Sequence, residues 1–180
     1  MALAVKTERL VLTEATEKDV DGLLAVALSN PEFTGNHEGS AGEPGLFDRD
    51  MLERDLAVAW MDSARHPLVL RHKDDRGRVI GWAEVLDEHP RDLVPWIGLL
   101  EVHRQEQRHS YGSEAAAALL VWARAGGAPA LRLGVDEGNT SGFAFWQRLG
   151  FLEVDHRERV GPSGPVQVTV MEMRLHPASK

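Results

Sequence analysis

The first third of the chain alternates between apolar and polar positions in a way that predicts one strand and two helices. Residues 8–14 read ERLVLTE, a leucine- and valine-bearing run that is typical of a strand. Thr16 and Asp19 resemble a capping box, with Asp in the usual Glu position, and predict a helix over about residues 17–28. A second helix is predicted over about residues 49–63. Its cap is Asp48, and its apolar stripe is Leu52, Leu56, Ala59 and Trp60.

Residues 30–47 separate the two predicted helices and show no apolar periodicity. They read NPEFTGNHEGSAGEPGLF and are rich in glycine, proline and polar residues. A loop of this length in a small domain is often functional. We therefore keep Asn36, His37 and Glu38 as candidate contacts for a substrate, with an ordinary surface loop as the alternative.

The rest of the chain contains six strand-like runs and two strongly helical ones. The turn at residues 74–77 predicts a hairpin between the strands 67–71 and 79–86. Gly126 and Gly127 end the helix 111–125. The predicted strands are 67–71, 79–86, 93–103, 131–135, 151–160 and 166–175, and the predicted helices are 111–125 and 140–149.

Taken in order, these elements read β α α β β β α β α β β. Helices interrupt the strands without strict alternation, which predicts a mixed α/β fold with a largely antiparallel sheet, flanking helices and at least one crossover. A length of 180 residues suits one domain, so we expect residues 1–180 to form a single unit.

Composition narrows the class of protein. The chain has no cysteine, which removes disulfides, thiolate metal sites and a cysteine nucleophile. A net charge of −8 argues against a nucleic-acid partner and suits a cationic one. No run approaches the ~20 apolar residues needed to span a bilayer, and the first residues lack the basic head of a signal peptide. We expect a cytoplasmic protein without a membrane partner. The eight histidines show no metal-ligand spacing, so no metal site is predicted.

The segment LLEVHRQEQRHSYGSEAAAA at residues 99–118 has the pattern of an anion-binding site. An apolar strand enters a short polar loop, and the loop opens directly onto a strong helix, whose first amides have no internal acceptor. Gly112 and Ser110 allow a phosphate to approach the backbone, and Arg108 and His109 add positive charge. An ordinary strand-to-helix turn is the alternative.

A second segment, residues 139–151, reads NTSGFAFWQRLGF. Asn139 carries an amide that can hydrogen-bond another amide, and Phe145 and Trp146 offer apolar walls beside it. Helix core is the plainer explanation for most of the apolar residues here.

Together the two segments resemble the GNAT acetyltransferase superfamily. Its acyl-CoA loop follows the pattern Q/R-x-x-G-x-G/A, against QRHSYG at residues 107–112, with Ser110 in place of the first glycine. Its later motif resembles N-x-x-A-x-x-x-Y-x-x-x-G-F, against residues 139–151, with Gly142 at the small position. The opening run of the chain is similar to members that acetylate protein N-termini or small amines.

The resemblance implies an acetyl-CoA-dependent N-acetyltransferase whose acceptor is the primary amine of a small molecule or a peptide, and it leaves a homodimer open. It implies that loop amides hold the coenzyme pyrophosphate and that the strand and the later helix line the acyl arm. The implied cofactor-binding residues are Leu100, Val102, Gln107, Arg108, His109, Ser110, Tyr111, Gly112, Ser113, Asn139, Gly142, Phe145 and Trp146.

Two departures from the family pattern bear on catalysis. Trp146 stands where a tyrosine often protonates the leaving thiolate, and Trp96 stands where some relatives carry a glutamate base. Glu84 on the preceding strand is the candidate base, with Glu101 as a second choice whose side chain points away from the Leu100 face. Two other functions therefore stay open, a non-catalytic acyl-CoA-binding module and a pterin- or nucleotide-binding protein that uses the same helix.

Overall fold

A computed structural model describes residues 3–31, 47–75, 77–161 and 164–175. Within these ranges the chain forms one eight-stranded sheet in the order β1-β2-β3-β4-β5-β6-β8-β7, with four α-helices and two short 3-10 turns. The strands are β1 Ala4–Lys6, β2 Leu10–Glu14, β3 Arg65–His72, β4 Val79–Leu86, β5 Trp96–Val102, β6 Ala130–Asp136, β7 Leu152–Gly161 and β8 Gly164–Arg174. The helices are α1 Val20–Leu28, α2 Arg49–Met61, α3 Tyr111–Ala125 and α4 Thr140–Arg148.

The mixed, largely antiparallel fold expected from the sequence is confirmed. The helix over 111–125 has the predicted bounds, and the Thr16–Asp19 capping box is present in a 3-10 turn that leads into α1. Asp48 caps α2, where its carboxylate accepts from the Met51 amide at 2.9 Å. The structure adds β1, which pairs with β2 and was not predicted, because a run of only three residues is too short to show a period.

Each face of the sheet buries its own apolar core. Residues on β3 alternate between them, with Leu68 and Leu70 on the side of α3 and α4 and Val69 on the side of α1 and α2. This three-layer arrangement leaves the middle of the sheet covered on both sides, so a ligand can reach the central strands only where the sheet itself opens.

The opening lies between β5 and β6, which are the parallel pair. They share two register positions, Trp96 with Arg132 and Ile97 with Leu133, and then diverge. On its other edge β5 carries a bulge at Gly98, because Glu84 pairs with Leu99 while Val85 pairs with Ile97. A crossover through α3 connects the two diverging strands. The strands therefore form a V, with α3 beginning just beyond the free end of β5.

The loop between β4 and β5 is held at the closed end of this V by Asp92, whose side chain is only 3% exposed. Asp92 accepts two hydrogen bonds from the Arg157 guanidinium at 2.6 and 2.9 Å and lies 3.2 Å from Arg132. Arg132 in turn bonds Glu172 at 2.7 Å. Leu93, predicted as the start of a strand, instead has a φ of 55° and belongs to this loop, as its amide bonds the His89 carbonyl.

The hydrogen bonds from Arg157 lower the pKa of Asp92, and they outweigh the opposing effect of burial. We predict that Asp92→Asn lowers the free energy of unfolding at neutral pH by about 3 kcal/mol, because Asp92 is the buried carboxylate that Arg157 and Arg132 share, and each arginine would keep only its second partner, Asp155 or Glu172. A depressed folded-state pKa contributes stability above the unfolded-state pKa and loses it as the pH falls through the folded-state pKa. Urea unfolding at pH 7 and below pH 4 should therefore show the gap between wild type and variant shrinking in acid.

Asp155→Asn is the matched control, because Asp155 accepts from the same guanidinium at 2.7 Å but its side chain is 41% exposed. Asp92, Arg132, Arg157 and Glu172 together form the Asp92 cluster. A loss as large as that of Asp92→Asn would show that burial of Asp92 is not the reason why this cluster stabilises the fold.

Candidate functional site

The diverging strands enclose a cavity of about 1270 Å³ that runs from the start of α3 to the β4–β5 loop. It brings together almost all of the residues singled out in the sequence, although they come from five separate elements. Those that line it are Glu84, Leu100, Val102, Gln107, Arg108, Ser110, Tyr111, Gly112, Ser113, Asn139, Gly142, Phe145 and Trp146.

His109 is the predicted site residue that does not line the cavity. Its ring tilts against Tyr111 with the centroids 5.9 Å apart, and its Nδ1 atom lies 3.2 Å from the Glu106 carbonyl oxygen. The side chain thus lies on the outside of the loop, and only its backbone remains available for the proposed anion site.

The loop before α3 has the backbone geometry of an anion nest. Arg108 and Ser110 both adopt left-handed conformations, with φ of 67° and 65°. Alternation of this kind turns successive N–H groups toward one side. Among the described residues, the structure shows no acceptor for the backbone amides from Arg108 to Ser113, while the Glu114 amide bonds the Ser110 carbonyl. These donors, at the positive end of a 15-residue helix, can bind a phosphate group.

A salt bridge between Arg9, in the turn before β2, and Glu114, in the first turn of α3, holds the loop in place. Glu114 accepts from the Arg9 amide and from Arg9 Nε, both at 2.7 Å, and from the Thr7 hydroxyl. Arg9 also donates to the His109 carbonyl at 3.0 Å and lies 4.6 Å from the centre of the Tyr111 ring. Burial acts to raise the pKa of Glu114, but these hydrogen bonds lower it on balance, which keeps the carboxylate charged.

A second set of hydrogen bonds joins the loop to the end of α1. Asn30 is fully buried, and its amide nitrogen donates to the Val102 carbonyl at 3.1 Å. Gln107 donates to the same carbonyl at 3.1 Å and to the Asn30 side-chain oxygen at 2.8 Å. The first residue of the family loop pattern therefore serves as a structural tie between β5 and α1.

Gly112 faces α4 across the cavity. A Cβ atom at this position would lie 3.5 Å from Phe145 and 3.8 Å from Val102, which is ordinary contact distance. An alanine therefore fits without distortion, and a larger side chain would extend into the space over the loop amides.

Helix α4 begins after Asn139, whose side-chain oxygen accepts from the Gly142 amide at 2.9 Å. The amide that the sequence offered for ligand binding is thus also the helix N-cap. A Cβ atom at residue 142 would lie 2.6 Å from the Asn139 side-chain nitrogen, so the glycine leaves room for this cap.

Trp146 occupies the inner wall of the cavity and is 8% exposed. Its ring makes edge contacts with Phe145 and Phe151, with centroid distances of 4.8 and 5.1 Å. It is therefore an apolar packing element with one edge on the cavity.

Two carboxylates lie on the opposite face of β4 and β5 from Leu100. Glu84 pairs in register with Leu99, and Glu101 pairs with Trp82, which places both acids on the α1 and α2 side. Glu84 is 9% exposed and accepts from Arg65 Nε at 2.8 Å. Both residues line the cavity, so residues from the two faces of the sheet border one space at the opening between the strands.

His89 was not predicted as part of the site, and Trp96 was named only as the residue that replaces a glutamate base. Their rings stack with centroids 4.4 Å apart at the closed end of the V, and both line the cavity. Burial lowers the pKa of His89, aided by nearby arginines and opposed by Asp92. No local pattern marks a single histidine in a polar loop, because its placement comes from the Asp92 cluster.

Two further observations concern the described residues only. No helix in the described ranges is both long enough and apolar enough to cross a bilayer, and no three acidic or histidine side chains there are grouped as a metal site would need. Asn36, His37 and Glu38 lie outside the described residues, as do most of the predicted loop 30–47 and the tip of the last hairpin.

Comparison with known proteins identifies the family of the chain. The model of the acetyltransferase (GNAT) family matches residues 27–151, more than half of the chain. The chain belongs to this family. Comparison with curated protein sequences gives no significant match.

Solved structures of several acetyltransferases share the fold. An acetyltransferase from Thermus thermophilus superposes with a TM-score of 0.72 at 22% identity, covering 96% of this chain and 100% of its own. The ribosomal-protein α-N-acetyltransferase RimL, in complex with coenzyme A, gives 0.77 at 13% identity, with 98% and 100% covered. A spermidine N-acetyltransferase from Vibrio cholerae, with coenzyme A and spermine, gives 0.72 at 15% identity, with 93% and 96% covered.

Ser110 gives a test of the nest geometry. The left-handed region costs a residue with a side chain about 1–2 kcal/mol, and glycine is free of this cost. We predict that Ser110→Gly raises the free energy of unfolding by up to about 1 kcal/mol, after allowing for the extra freedom of glycine in the unfolded chain. Thermal and urea unfolding measure the change.

The matched variant is Ser113→Gly, in the first turn of α3, where the backbone is helical. It should lower the free energy of unfolding by about 0.5 kcal/mol. Equal effects of the two substitutions would contradict the left-handed assignment.

Proposed function

We propose that this GNAT family member is an acetyl-CoA-dependent N-acetyltransferase that acts on a primary amine. The observation that supports it best is the convergence, in one cavity, of the amides from Arg108 to Ser113, the wall formed by α4, and the carboxylate of Glu84. A phosphate-binding end and an acid-lined end, joined through a gap in the sheet, suit a reaction between a long phosphorylated thioester and an amine. The RimL and spermidine acetyltransferase structures carry coenzyme A, which supports the same cosubstrate here.

Acetyl-CoA supplies an activated acetyl group as a thioester. In the transfer a bond forms between the acceptor nitrogen and the carbonyl carbon, the carbon–sulfur bond breaks, and the amine loses one proton. The loop amides bind the diphosphate, and Val102, Phe145 and Trp146 exclude water from the arm that leads inward. Main-chain N–H groups of β5 near the bulge can stabilise the negative charge on the carbonyl oxygen.

Glu84 is the proposed acceptor of the proton that the amine loses. It stands beside the bulge, with Gly98 so close that a Cβ there would lie 3.2 Å from the Glu84 carboxylate oxygen. Arg65 fixes its orientation through the 2.8 Å bond. A carboxylate held in this way can accept a proton directly or through one water.

A cationic acceptor is favoured by the charge of the cavity wall on the α1 and α2 side. Asp55, Glu84 and Glu101 line the cavity there, and Arg65 is the cation among them. The negative net charge of the chain acts in the same direction at longer range. The acceptor proposed here is therefore a small-molecule or peptide amine rather than a nucleic acid.

A non-catalytic acyl-CoA-binding module is the second candidate, and the packing of Trp146 favours it. This residue has no acidic hydroxyl, and its ring is held between Phe145 and Phe151. In an active enzyme the thiolate would leave without a side-chain acid at this position, or water would protonate it.

The first experiment measures thiol release from acetyl-CoA with a panel of polyamines, aminoglycosides and N-terminal peptides. We expect turnover with at least one cationic amine. Gly112→Val should weaken acetyl-CoA binding by about tenfold or more, since blocking one charge-assisted contact is worth about 1.5–3 kcal/mol. Gly112→Ala is the control and should bind nearly as wild type does, because its Cβ meets only ordinary contacts.

Acetyl-CoA binding without thiol release on any amine would favour the binding module. A Gly112→Val protein that is folded and binds acetyl-CoA as tightly as wild type would place the diphosphate elsewhere.

Glu84→Gln tests the proposed base. It should lower kcat by about 100-fold, the usual effect of removing a general base, and should leave the Kd for acetyl-CoA unchanged. Steady-state kinetics and calorimetry measure the two quantities, and thermal unfolding checks that loss of the Arg65 ion pair has not unfolded the protein.

Glu101→Gln is the paired variant on the neighbouring strand and the same face of the sheet. A large loss of kcat in Glu101→Gln, with Glu84→Gln active, would reassign the base to Glu101.

A further inference from the structure

The arginines that line the cavity differ in whether an acid neutralises them. Six face it, and four of these pair with a carboxylate. The pairs are Arg65 with Glu84 at 2.8 Å, Arg91 with Asp155 at 4.0 Å, Arg157 with Asp92 at 2.6 Å and Arg159 with Asp136 at 2.5 Å. Arg108 and Arg148 have no acidic partner in the part of the chain that the structure describes.

These two arginines belong to the same end of the cavity. Arg108 lies in the loop before α3, and Arg148 is in the last turn of α4. The Arg148 guanidinium lies 5.9 Å from the centre of the Phe145 ring, and that ring lies at contact distance from the Gly112 position. Both arginines therefore belong to the part of the cavity where the loop before α3 meets α4.

Two like charges beside one cavity, in a chain with a net charge of −8, repel each other and attract an anion. Both side chains are exposed, so they can turn toward a ligand without breaking an existing ion pair. Guanidinium groups bind phosphate monoesters through paired hydrogen bonds, and a monoester carries between one and two negative charges at neutral pH.

Coenzyme A carries two kinds of phosphate, a diphosphate and a 3′-phosphate monoester on the ribose. The backbone amides from Arg108 to Ser113 provide donors for the diphosphate, whereas the more highly charged monoester is suited to guanidinium groups. We propose that Arg108 and Arg148 bind the 3′-phosphate of the coenzyme and so select acetyl-CoA over acetyl-dephospho-CoA. This assignment rests on the proposed function, since it needs acetyl-CoA in the cavity.

The test compares two ligands and several variants by calorimetry at physiological salt. Acetyl-CoA and acetyl-dephospho-CoA differ only in the 3′-phosphate. We expect wild type to bind acetyl-CoA at least about tenfold more tightly. Arg108→Met and Arg148→Met should each weaken acetyl-CoA binding several-fold while leaving the affinity for acetyl-dephospho-CoA within about twofold, so that the double variant no longer distinguishes the ligands. Arg108→Lys and Arg148→Lys should restore part of the preference.

Arg124→Met is the control for net charge, because Arg124 is exposed on α3 and does not line the cavity. It should alter neither affinity. Thermal unfolding should be unchanged in all the variants, since neither cavity arginine is held by an ion pair to a described residue.

Each other outcome identifies which statement fails. Equal losses for both ligands would assign the arginines to the diphosphate, and no loss for either would remove them from the site; both results overturn the 3′-phosphate assignment. Wild type that binds the two ligands equally also overturns it while leaving the proposed function intact. Wild type that binds neither ligand removes the proposed function itself.

Discussion

The early parting of β5 and β6 is the constraint on which the rest of the site depends. Two paired positions hold the strands together at one end, and beyond Ile97 each strand leaves its neighbour. Unpaired backbone groups inside a protein need other partners. Some of this need is met by side chains, as when Asn30 and Gln107 both donate to the Val102 carbonyl. The other unpaired backbone groups of these strands face the cavity, where a ligand that carries amides can form hydrogen bonds with them.

The charge of the residues around the cavity also changes from one end to the other. The Asp92 cluster neutralises the arginines at the closed end and fixes the loop that carries His89 against Trp96. The acids of β4 and β5 occupy the side next to α1 and α2, and the amides before α3 occupy the other end. A ligand that is anionic at one end and a second that is cationic would therefore meet in the middle of the sheet, beside the bulge at Gly98.

The sequence predicted the fold class, and it singled out most of the residues that line the cavity near the start of α3, because the signals there are local. A strand followed by a polar loop and an alanine-rich helix is contiguous in the chain, and so is the run from Asn139 to Phe151. The left-handed conformations at Arg108 and Ser110 were not predicted, and the loop that contains them is held by Arg9 and Asn30, which are distant in the chain. The closed end could not be predicted in this way, because Asp92, Arg132 and Arg157 come from three elements and meet only through the order of strands in the sheet.

The hydrogen bonds among Asn30, Gln107 and Val102 have a consequence for how such chains diverge. Asn30 is fully buried and uses both ends of its amide in this set. Replacing either amide side chain alone would strand a donor or an acceptor away from water, which is costlier than replacing both by apolar groups that fit. Positions 30 and 107, which are 77 residues apart, should therefore be inherited as a pair, so that the tip of the first helix and the opening of the third evolve as a single unit.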